Sequence, residues 1–194
     1  MSKMEIEKKK CITPEGRVSY PYVFKAKSNE DKEPKYSMTL LFDKKTDLKE
    51  LKRAAFNAAV ETYGSDKSKW PKKLKMPFRD GDEDKPDQPE YKNTIFVYAS
   101  SKHRPGIVDS GRSPIVEEDR TFYAGCYARA SLIAFTYDQL GNIGVSFALQ
   151  NIQKLRDGKP LSGRKNAEDE FDAVEDSSES EDSYGDESGD DLTF

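Results

Sequence analysis

The clearest hydrophobic pattern lies in residues 121–159, where apolar and polar side chains alternate along two successive segments. A period of two is typical of a β-strand. Residues 138–142 join the two segments, and there Gly141 and Asn142 can adopt a positive φ. We therefore predict a long β-hairpin. One face of its first arm carries Tyr127, Arg129, Ser131, Ile133, Phe135 and Tyr137.

The aromatic residues on that face allow two interpretations. Rings beside a guanidinium on a sheet surface suit unpaired bases, because rings stack on bases and cations meet phosphates. The same side chains could instead fill the core of a β-sandwich or barrel. The alternation alone does not decide between them. In the second arm, one face is predicted to hold Ile143, Val145, Phe147, Leu149 and Asn151.

Three shorter strands are predicted before the hairpin. Residues 17–20 form the first, and Pro21 predicts a bend after it, since proline cannot donate to a strand ladder. Residues 36–42 and 91–100 show the same alternation. The intervening polar stretch, residues 25–35, predicts a loop.

One helix is predicted, over residues 43–64. Apolar side chains recur at helical spacing from Leu48 to Tyr63. Asp47 followed by Glu50 is typical of a helix N-terminus, and Gly64 stands where a C-terminal cap belongs. Five strands around one helix fit a small Greek-key barrel, a mainly β fold.

Two long segments, residues 65–90 and 101–114, show no periodic pattern. Irregular segments of this length are usually functional or disordered. Both are rich in lysine and arginine, so we expect them to carry part of the function.

Charge divides the chain of 194 residues into two unlike parts. Residues 1–166 hold 32 basic and 23 acidic side chains, whereas residues 167–194 hold 13 acidic side chains and no lysine or arginine. The overall net charge of −4 describes neither part. We predict one folded domain over residues 1–166 and a disordered tail over residues 167–194, because the tail cannot bury enough apolar surface to fold.

Cysteine usage and hydropathy favour a cytoplasmic protein. Cys11 and Cys126 are too few for a disulfide framework, and we expect reduced thiols, with a bond between the two left open. No apolar run reaches the length of a membrane span, and the N-terminus lacks the apolar core of a signal peptide. We therefore expect no contact with membranes.

Motifs for catalysis are missing. His103 is the single histidine, and no nucleophile elbow or phosphate-binding loop accompanies it. Its spacing from the two cysteines does not fit a zinc site. Residues 80–84 resemble a calcium loop only in part, since Tyr91 takes the position of the bidentate glutamate, which leaves at most a weak divalent-ion site. We expect no enzyme activity and no cofactor.

Binding to nucleic acid is the function that remains. Lysines and arginines cluster in the irregular segments and after the hairpin, interleaved with aromatic residues. Stacked rings hold bases without regard to sequence, and the cations neutralise phosphates. The predicted nucleic-acid-binding residues are Lys75, Arg79, Tyr98, Lys102, Arg104, Tyr123, Tyr127, Arg129, Lys154 and Arg156.

The tail predicts a second function. It ends with two acidic residues, Asp190 and Asp191, followed by the apolar residues Leu192 and Phe194. A terminal ring behind a run of charge suits docking into a basic pocket with an apolar floor on a partner. The same tail could lie in the protein's own basic cleft and compete with DNA. Simple solubility is the third interpretation.

Several segments together resemble one protein family. They are LKMPFRDGD, FVYASSKHRPGIVD, GCYARASL and NIQKLRDGKPLSGR followed by AEDEF. In this order, over about residues 16–171, they are similar to bacteriophage single-stranded DNA-binding proteins. The resemblance implies an OB-fold, a five-stranded barrel with a helix. It also implies that the acidic, aromatic-ended tail contacts replication proteins such as a polymerase, helicase or primase in the bacterial host cytoplasm.

The function expected from sequence is therefore sequence-tolerant binding of single-stranded DNA in phage replication or recombination. Two alternatives stay open. The tail could be the active part, as a mimic of nucleic acid that masks basic proteins, or the preferred strand could be RNA, whose 2′-hydroxyl groups a protein can recognise. A homodimer is also open.

Overall fold

A computed structural model describes residues 8–29 and 32–161 of the chain. The strands are β1 (Lys10–Ile12), β2 (Gly16–Asn29), β3 (Lys32–Asp43), β4 (Arg79–Asp80), β5 (Thr94–Ser101), β6 (Gly106–Val108), β7 (Tyr127–Gln139) and β8 (Asn142–Arg156). The helices are α1 (Lys49–Tyr63) and α2 (Gly81–Asp84). Three short 3₁₀ helices cover Lys67–Lys69, Pro89–Tyr91 and Glu117–Asp119.

Five of the strands close into a barrel. Strand β2 pairs with β3 and β7, β3 pairs with β5, and β5 pairs with β8, which returns to β7. Only the β5–β8 contact within this ring is parallel. This is the Greek-key barrel of an OB-fold, so the predicted fold class is confirmed. Strands β1, β4 and β6 extend the sheet from β7, β5 and β8.

The long hairpin is confirmed as β7 and β8, which pair along almost their whole length. The aromatic face of β7 points outward, because its alternate residues Ala128, Ala130, Leu132 and Ala134 are the buried ones. The prediction for Asn151 is wrong. A register shift between Ser131 and Leu132 places Asn151 outside and returns Ile152 to the core.

The predicted loop at residues 25–35 is also wrong. Strands β2 and β3 continue into it from both sides and form a second long hairpin. The successive side chains at positions 33–35 are all exposed, as are those of Lys25 and Lys27 on the paired strand. Because both faces are exposed, no apolar alternation marks these strands.

The bend expected at Pro21 is confirmed. The pairing of β2 with β3 shifts by one residue between Ser19 and Tyr22. Tyr20, just before the proline, has a φ of 47°.

Helix α1 is shorter than predicted and begins at Lys49. The Asp47 carboxylate still accepts a hydrogen bond from the Lys49 N–H, at 3.0 Å. Gly64 ends the helix with a φ of 84°, which a residue without Cβ adopts readily. The buried face consists of Leu51, Ala54, Ala55, Ala58 and Ala59. Small side chains allow α1 to lie close against β1, β7 and β8.

A small second cluster covers one end of the outer face of β3 and β5. Leu41 and Phe96 are paired across the strands, and Tyr91 packs on them with its ring 5.1 Å from that of Phe96. The Tyr91 hydroxyl lies 3.1 Å from the Ser19 hydroxyl. Further along the same face lies Tyr98, which is 48% exposed.

Candidate nucleic-acid interface

The exposed part of the β3–β5 face forms the floor of a groove. Tyr98 lies opposite Thr39, and Ser100 lies opposite Ser37 in the next outward row. The small side chains around Tyr98 leave its ring standing above the sheet. A half-exposed ring on a flat polar surface is an available stacking platform.

The β2–β3 hairpin forms one wall of this groove. Lys27 lies directly opposite Lys35, and the Lys27 Nζ is 4.6 Å from the centroid of the Tyr22 ring. Tyr22, Lys27 and Lys35 line a depression whose lining also includes Tyr98 and Gln139. Like charges directly opposite each other on a sheet are destabilising. An anion between the two ammonium groups would relieve that repulsion.

A second depression continues from the other side of Tyr98. It is lined by Lys75, Met76, Pro77, Arg79, Tyr98, Tyr137, Val145 and Ser146. The Lys75 backbone pairs with β8, since its N–H donates to the Ile143 carbonyl at 3.1 Å. The Lys75 Nζ donates to Oδ1 of Asn142 at 2.8 Å. The irregular segment of residues 65–90 is thereby fixed to the barrel at Lys75.

Gly144 allows the Tyr137 ring to close over β8. A Cβ at Gly144 would lie 2.6 Å from the Tyr137 hydroxyl oxygen and 2.9 Å from the Lys75 carbonyl oxygen. Both contacts are too short for any larger residue. The lack of a side chain at Gly144 therefore allows the Tyr137 hydroxyl and the Lys75 backbone to pack against β8 at this position.

The two depressions share Tyr98 and form one feature. We call it the tyrosine groove and define it by Tyr22, Lys27, Lys35, Lys75, Arg79, Tyr98 and Tyr137. Three rings alternate with cationic side chains along it. This combination suits a flexible chain with planar groups and regularly spaced negative charges.

Three cations of the tyrosine groove have no carboxylate partner among residues 8–29 and 32–161. They are Lys27, Lys35 and Lys75, none of which forms an ion pair there, although the charge of Lys35 contributes to the lowered pKa of Glu33. Arg79 is less available, because its Nε lies 2.8 Å from Oδ2 of Asp84. At the groove edge Lys102 pairs with Glu33, and this hydrogen bond lowers the pKa of Glu33 below its ordinary value.

The ten residues predicted to bind nucleic acid separate into groups. Lys75, Arg79 and Tyr98 line the tyrosine groove, and Lys102 reaches its edge through Glu33. Arg104 lies elsewhere, with its guanidinium carbon 5.6 Å from the centroid of the Phe24 ring.

The other five predicted residues surround the opposite end of the β7–β8 hairpin. We call them the hairpin-base cluster: Tyr123, Tyr127, Arg129, Lys154 and Arg156. Tyr137 lies ten positions after Tyr127 along β7, which is roughly 33 Å of extended strand. The rings of Tyr127 and Tyr137 are therefore far apart, although both lie on the same face of β7.

Each residue of the hairpin-base cluster has a partner within the protein. The Arg156 guanidinium binds both carboxylate oxygens of Glu15, and the Arg129 Nε donates to Gln153 at 2.9 Å. Lys154 is only 12% exposed and forms an ion pair with Asp157 at 2.7 Å. That contact lowers the pKa of Asp157.

Tyr123 is held in the same way. Its hydroxyl lies 3.0 Å from Oδ1 of Asp157 and 3.0 Å from the Gly158 carbonyl oxygen. Burial raises its pKa above the ordinary value. These contacts fix the chain after β8 against the barrel, so the cluster has a clear structural role. A role in binding DNA stays a prediction for its members.

Four groove residues were missed by the site prediction: Tyr22, Lys27, Lys35 and Tyr137. Tyr137 could have been found, since it belongs to the outward face of β7. The other three lie on the β2–β3 hairpin; Lys27 and Lys35 fall in the predicted loop of residues 25–35, and Tyr22 lies just before it. The pairing of Lys27 with Lys35 across the two strands makes this segment one wall of the groove.

Acidic side chains in residues 80–84 form ion pairs with lysine and arginine side chains of the protein itself. Lys44 Nζ lies 2.7 Å from Oδ2 of Asp80 and 2.7 Å from Oδ2 of Asp82. Asp84 pairs with Arg79. This arrangement fills the position considered for a divalent ion. Between residues 8 and 161, apart from 30 and 31, no helix is long and apolar enough to cross a membrane.

Both predicted cysteine thiols are free and buried. The predicted tail residues Asp190, Asp191, Leu192 and Phe194 lie outside the described residues.

Solved structures of phage proteins are similar to this fold. The single-stranded DNA-binding protein of bacteriophage Enc34, solved in complex with ssDNA, matches with a TM-score of 0.66 and 25% identity, over 78% of this chain and 88% of that one. The single-stranded DNA-binding protein gp2.5 of bacteriophage T7 matches with a TM-score of 0.56 and 15% identity, over 82% and 98% of the two chains. The T7 match shows a shared fold only.

Sequence comparison finds a partial match to another phage protein. Protein p50 of Acyrthosiphon pisum secondary endosymbiont phage 1 is 38% identical over 85 residues. That match covers 44% of this chain and 45% of p50, so the chain spans less than half of that relative's length.

A family profile covers much more of the chain. The family described as Enterobacter phage Enc34, ssDNA-binding protein, matches residues 9–183. This confirms the resemblance predicted from the ordered motifs. The chain therefore belongs to the phage single-stranded DNA-binding protein family that is typified by the protein of Enterobacter phage Enc34.

Proposed function

We propose that the protein binds single-stranded DNA along the tyrosine groove. The observation that carries this proposal is the sharing of Tyr98 by two depressions, each of which adds a further tyrosine and at least one lysine. A strand could pass from Tyr22 over Tyr98 to Tyr137. The rings would stack on bases while the lysines meet the phosphates.

The position of the groove supports this proposal. OB-folds bind oligonucleotides on the face of their second and third strands, between the loops that follow the first and fourth strands. In this barrel those strands are β3 and β5, and the corresponding hairpins are β2–β3 and β7–β8. Lys27 and Gln139 come from these two hairpins, and both line the same depression as Tyr98.

The chemistry of the groove predicts tolerance of base sequence. Its floor contains rings and hydroxyl groups rather than the amide and carboxylate pairs that read individual base edges. Every base has a π-face, so stacking does not select among bases. We infer a protein that coats exposed strands during phage DNA replication or recombination.

We also propose that the two parts of the chain have different functions. Residues 1–166 would bind DNA, and residues 167–194 would recruit a replication polymerase, helicase or primase. The support for the tail is its sequence: 13 acidic residues without a basic one, and a terminal phenylalanine. Deleting Phe194 should leave DNA affinity unchanged and abolish stimulation of the partner enzyme. Full stimulation without Phe194 would refute the recruitment role.

The binding proposal is tested by fluorescence anisotropy of a labelled dT oligomer of about 16 nucleotides, at the upper end of the site size of one OB-fold. We expect saturable binding at low salt that weakens as salt rises. An RNA oligomer of matched sequence should compete less well. Preference for RNA would reassign the ligand, and absence of binding to either oligomer in dilute buffer would end the proposal.

A further inference from the structure

The turn of the β7–β8 hairpin contains an unexpected residue. Leu140 and Gly141 form a two-residue loop, flanked by the paired residues Gln139 and Asn142. Their φ angles are 52° and 83°, as in a type I′ turn. Asparagine, aspartate and glycine are preferred at the first of these positions, because a positive φ brings Cβ close to the backbone. Leucine is a poor choice for the turn itself.

Packing does not explain the leucine either. The Leu140 side chain is fully exposed and more accessible than any other large apolar residue in the described part of the chain. It contributes nothing to the core. A residue that suits neither the local backbone nor the surrounding solvent indicates a function outside folding.

The turn holds this leucine in a fixed position. Oδ1 of Asp138 accepts a hydrogen bond from the Gly141 N–H at 3.1 Å. On the other side, Asn142 is held by Lys75, whose Nζ lies 2.8 Å from its Oδ1. Lys75 belongs to the tyrosine groove, so the turn and the groove share a structural link.

The turn also borders the groove directly. Gln139, the residue before Leu140, lines the same depression as Tyr98, Lys27 and Lys35. The Leu140 side chain at this edge of the tyrosine groove therefore lies beside the proposed path of the DNA strand. Leucine is one of the residues that proteins insert against or between bases.

We propose that Leu140 is a base-contacting residue that packs against a nucleobase of the strand bound in the tyrosine groove. This inference rests on the proposed function. A nucleobase is favoured over a second copy of the protein because the turn is continuous with the groove wall through Gln139 and Lys75. The contact would hold the strand where it leaves the groove.

The test uses Leu140→Asn, a substitution that improves the turn and removes the apolar contact. The probe is a dT oligomer of about 10 nucleotides, which holds one OB-fold. We expect an unchanged or higher thermal midpoint and an affinity about fivefold lower, which is the lower end of what one stacked base contributes. Leu140→Gly should behave in the same way, and Leu140→Met should bind as the natural protein does.

Three results would overturn the inference. Leu140→Asn and Leu140→Gly could bind the short oligomer as tightly as the natural protein. Their defect could appear only on long poly(dT), which would assign Leu140 to a contact between neighbouring copies. Finally, the natural protein could fail to bind DNA at all, a result that removes the proposed function first and this inference with it.

Discussion

The guanidinium carbon of Arg156 lies 3.5 Å from the centroid of the Tyr127 ring. The same guanidinium is bound to Glu15, which is 141 positions away in the sequence. On its edge the Tyr127 ring approaches Gly158, where an added Cβ would come within 2.8 Å of a ring carbon. A base could stack on this face of Tyr127 only by displacing Arg156.

This relationship changes the outcome expected for Tyr127→Ala. The sequence predicts weaker DNA binding with an intact fold. The structure favours the reverse: a thermal midpoint lower by roughly 2–4 °C, the shift typical of a modest loss in a chain of this size, and DNA affinity within about twofold of the natural value. Thermal unfolding and anisotropy measure the two quantities. A large loss of affinity without a change in midpoint would restore Tyr127 to the binding site.

Tyr98 should show the opposite behaviour. Its ring is 48% exposed on the groove floor, so Tyr98→Ala removes little packing. We expect a loss of affinity for dT of about 5- to 100-fold, as one stacked base contributes roughly 1–3 kcal/mol. Tyr98→Phe is the matched control, because stacking needs the ring and not the hydroxyl. Equal binding by the alanine variant would show that the strand avoids this ring.

The lysines of the groove should determine the salt dependence of binding. Each phosphate contact on a single strand contributes about 0.7 to the slope of log affinity against log salt. Lys27→Gln, Lys35→Gln and Lys75→Gln should each reduce the slope by about that amount. Lys49→Gln, on the outer surface of α1, should leave it unchanged.

For Lys27 and Lys35, the same substitutions also separate a role in DNA binding from a role in stability. They oppose each other across the β2–β3 hairpin, so neutralising either one removes a like-charge repulsion. The thermal midpoint should stay the same or rise while DNA binding weakens. A lower midpoint in both variants would mean that these lysines support the hairpin rather than a ligand.

The buried cysteines predict a dependence on alkaline pH. Burial, followed by the nearby charge of Glu50, raises the pKa of Cys11 to about 11, and burial also raises the pKa of Cys126. In the unfolded chain the thiols ionise near pH 9. The contribution of Cys11 to stability is therefore complete below pH 9 and is lost as the pH rises through about 11, and that of Cys126 falls in the same direction as the pH rises above 9.

Two measurements check this prediction. A thiol reagent at pH 8 should react slowly with the folded protein and fast after unfolding. Cys11→Ala should lose less unfolding free energy between pH 8 and pH 11 than the natural protein does. Rapid reaction of the folded protein at pH 8 would contradict the burial of both thiols.

Local pattern was enough to predict several parts of this fold. The alternation in β5 and β7 identified both strands and placed Tyr127 and Tyr137 on one face of β7, but the structure was needed to show that this face points outward. Gly64 and Asp47 located the ends of α1 to within a few residues. These features depend on neighbours in sequence, where periodicity and capping act.

The remaining features depend on contacts between distant residues. The parallel pairing of Ala99 with Phe147 closes the barrel, and nothing in either segment specifies the other. The Lys27–Lys35 wall is polar on both sides, so hydrophobic alternation cannot mark it. Arg156 was predicted to be a phosphate contact from the basic run after the hairpin, and its ion pair with Glu15 could not be foreseen because Glu15 lies at the other end of the domain.

The location of the bound strand can be measured directly with a dT oligomer that carries 5-iododeoxyuridine at each position in turn. Ultraviolet light crosslinks this base to an aromatic side chain in contact with it, and mass spectrometry identifies the modified peptide. We predict adducts on Tyr22, Tyr98 and Tyr137. Adducts confined to Tyr123 or Tyr127 would place the strand on the hairpin-base cluster and contradict the tyrosine groove.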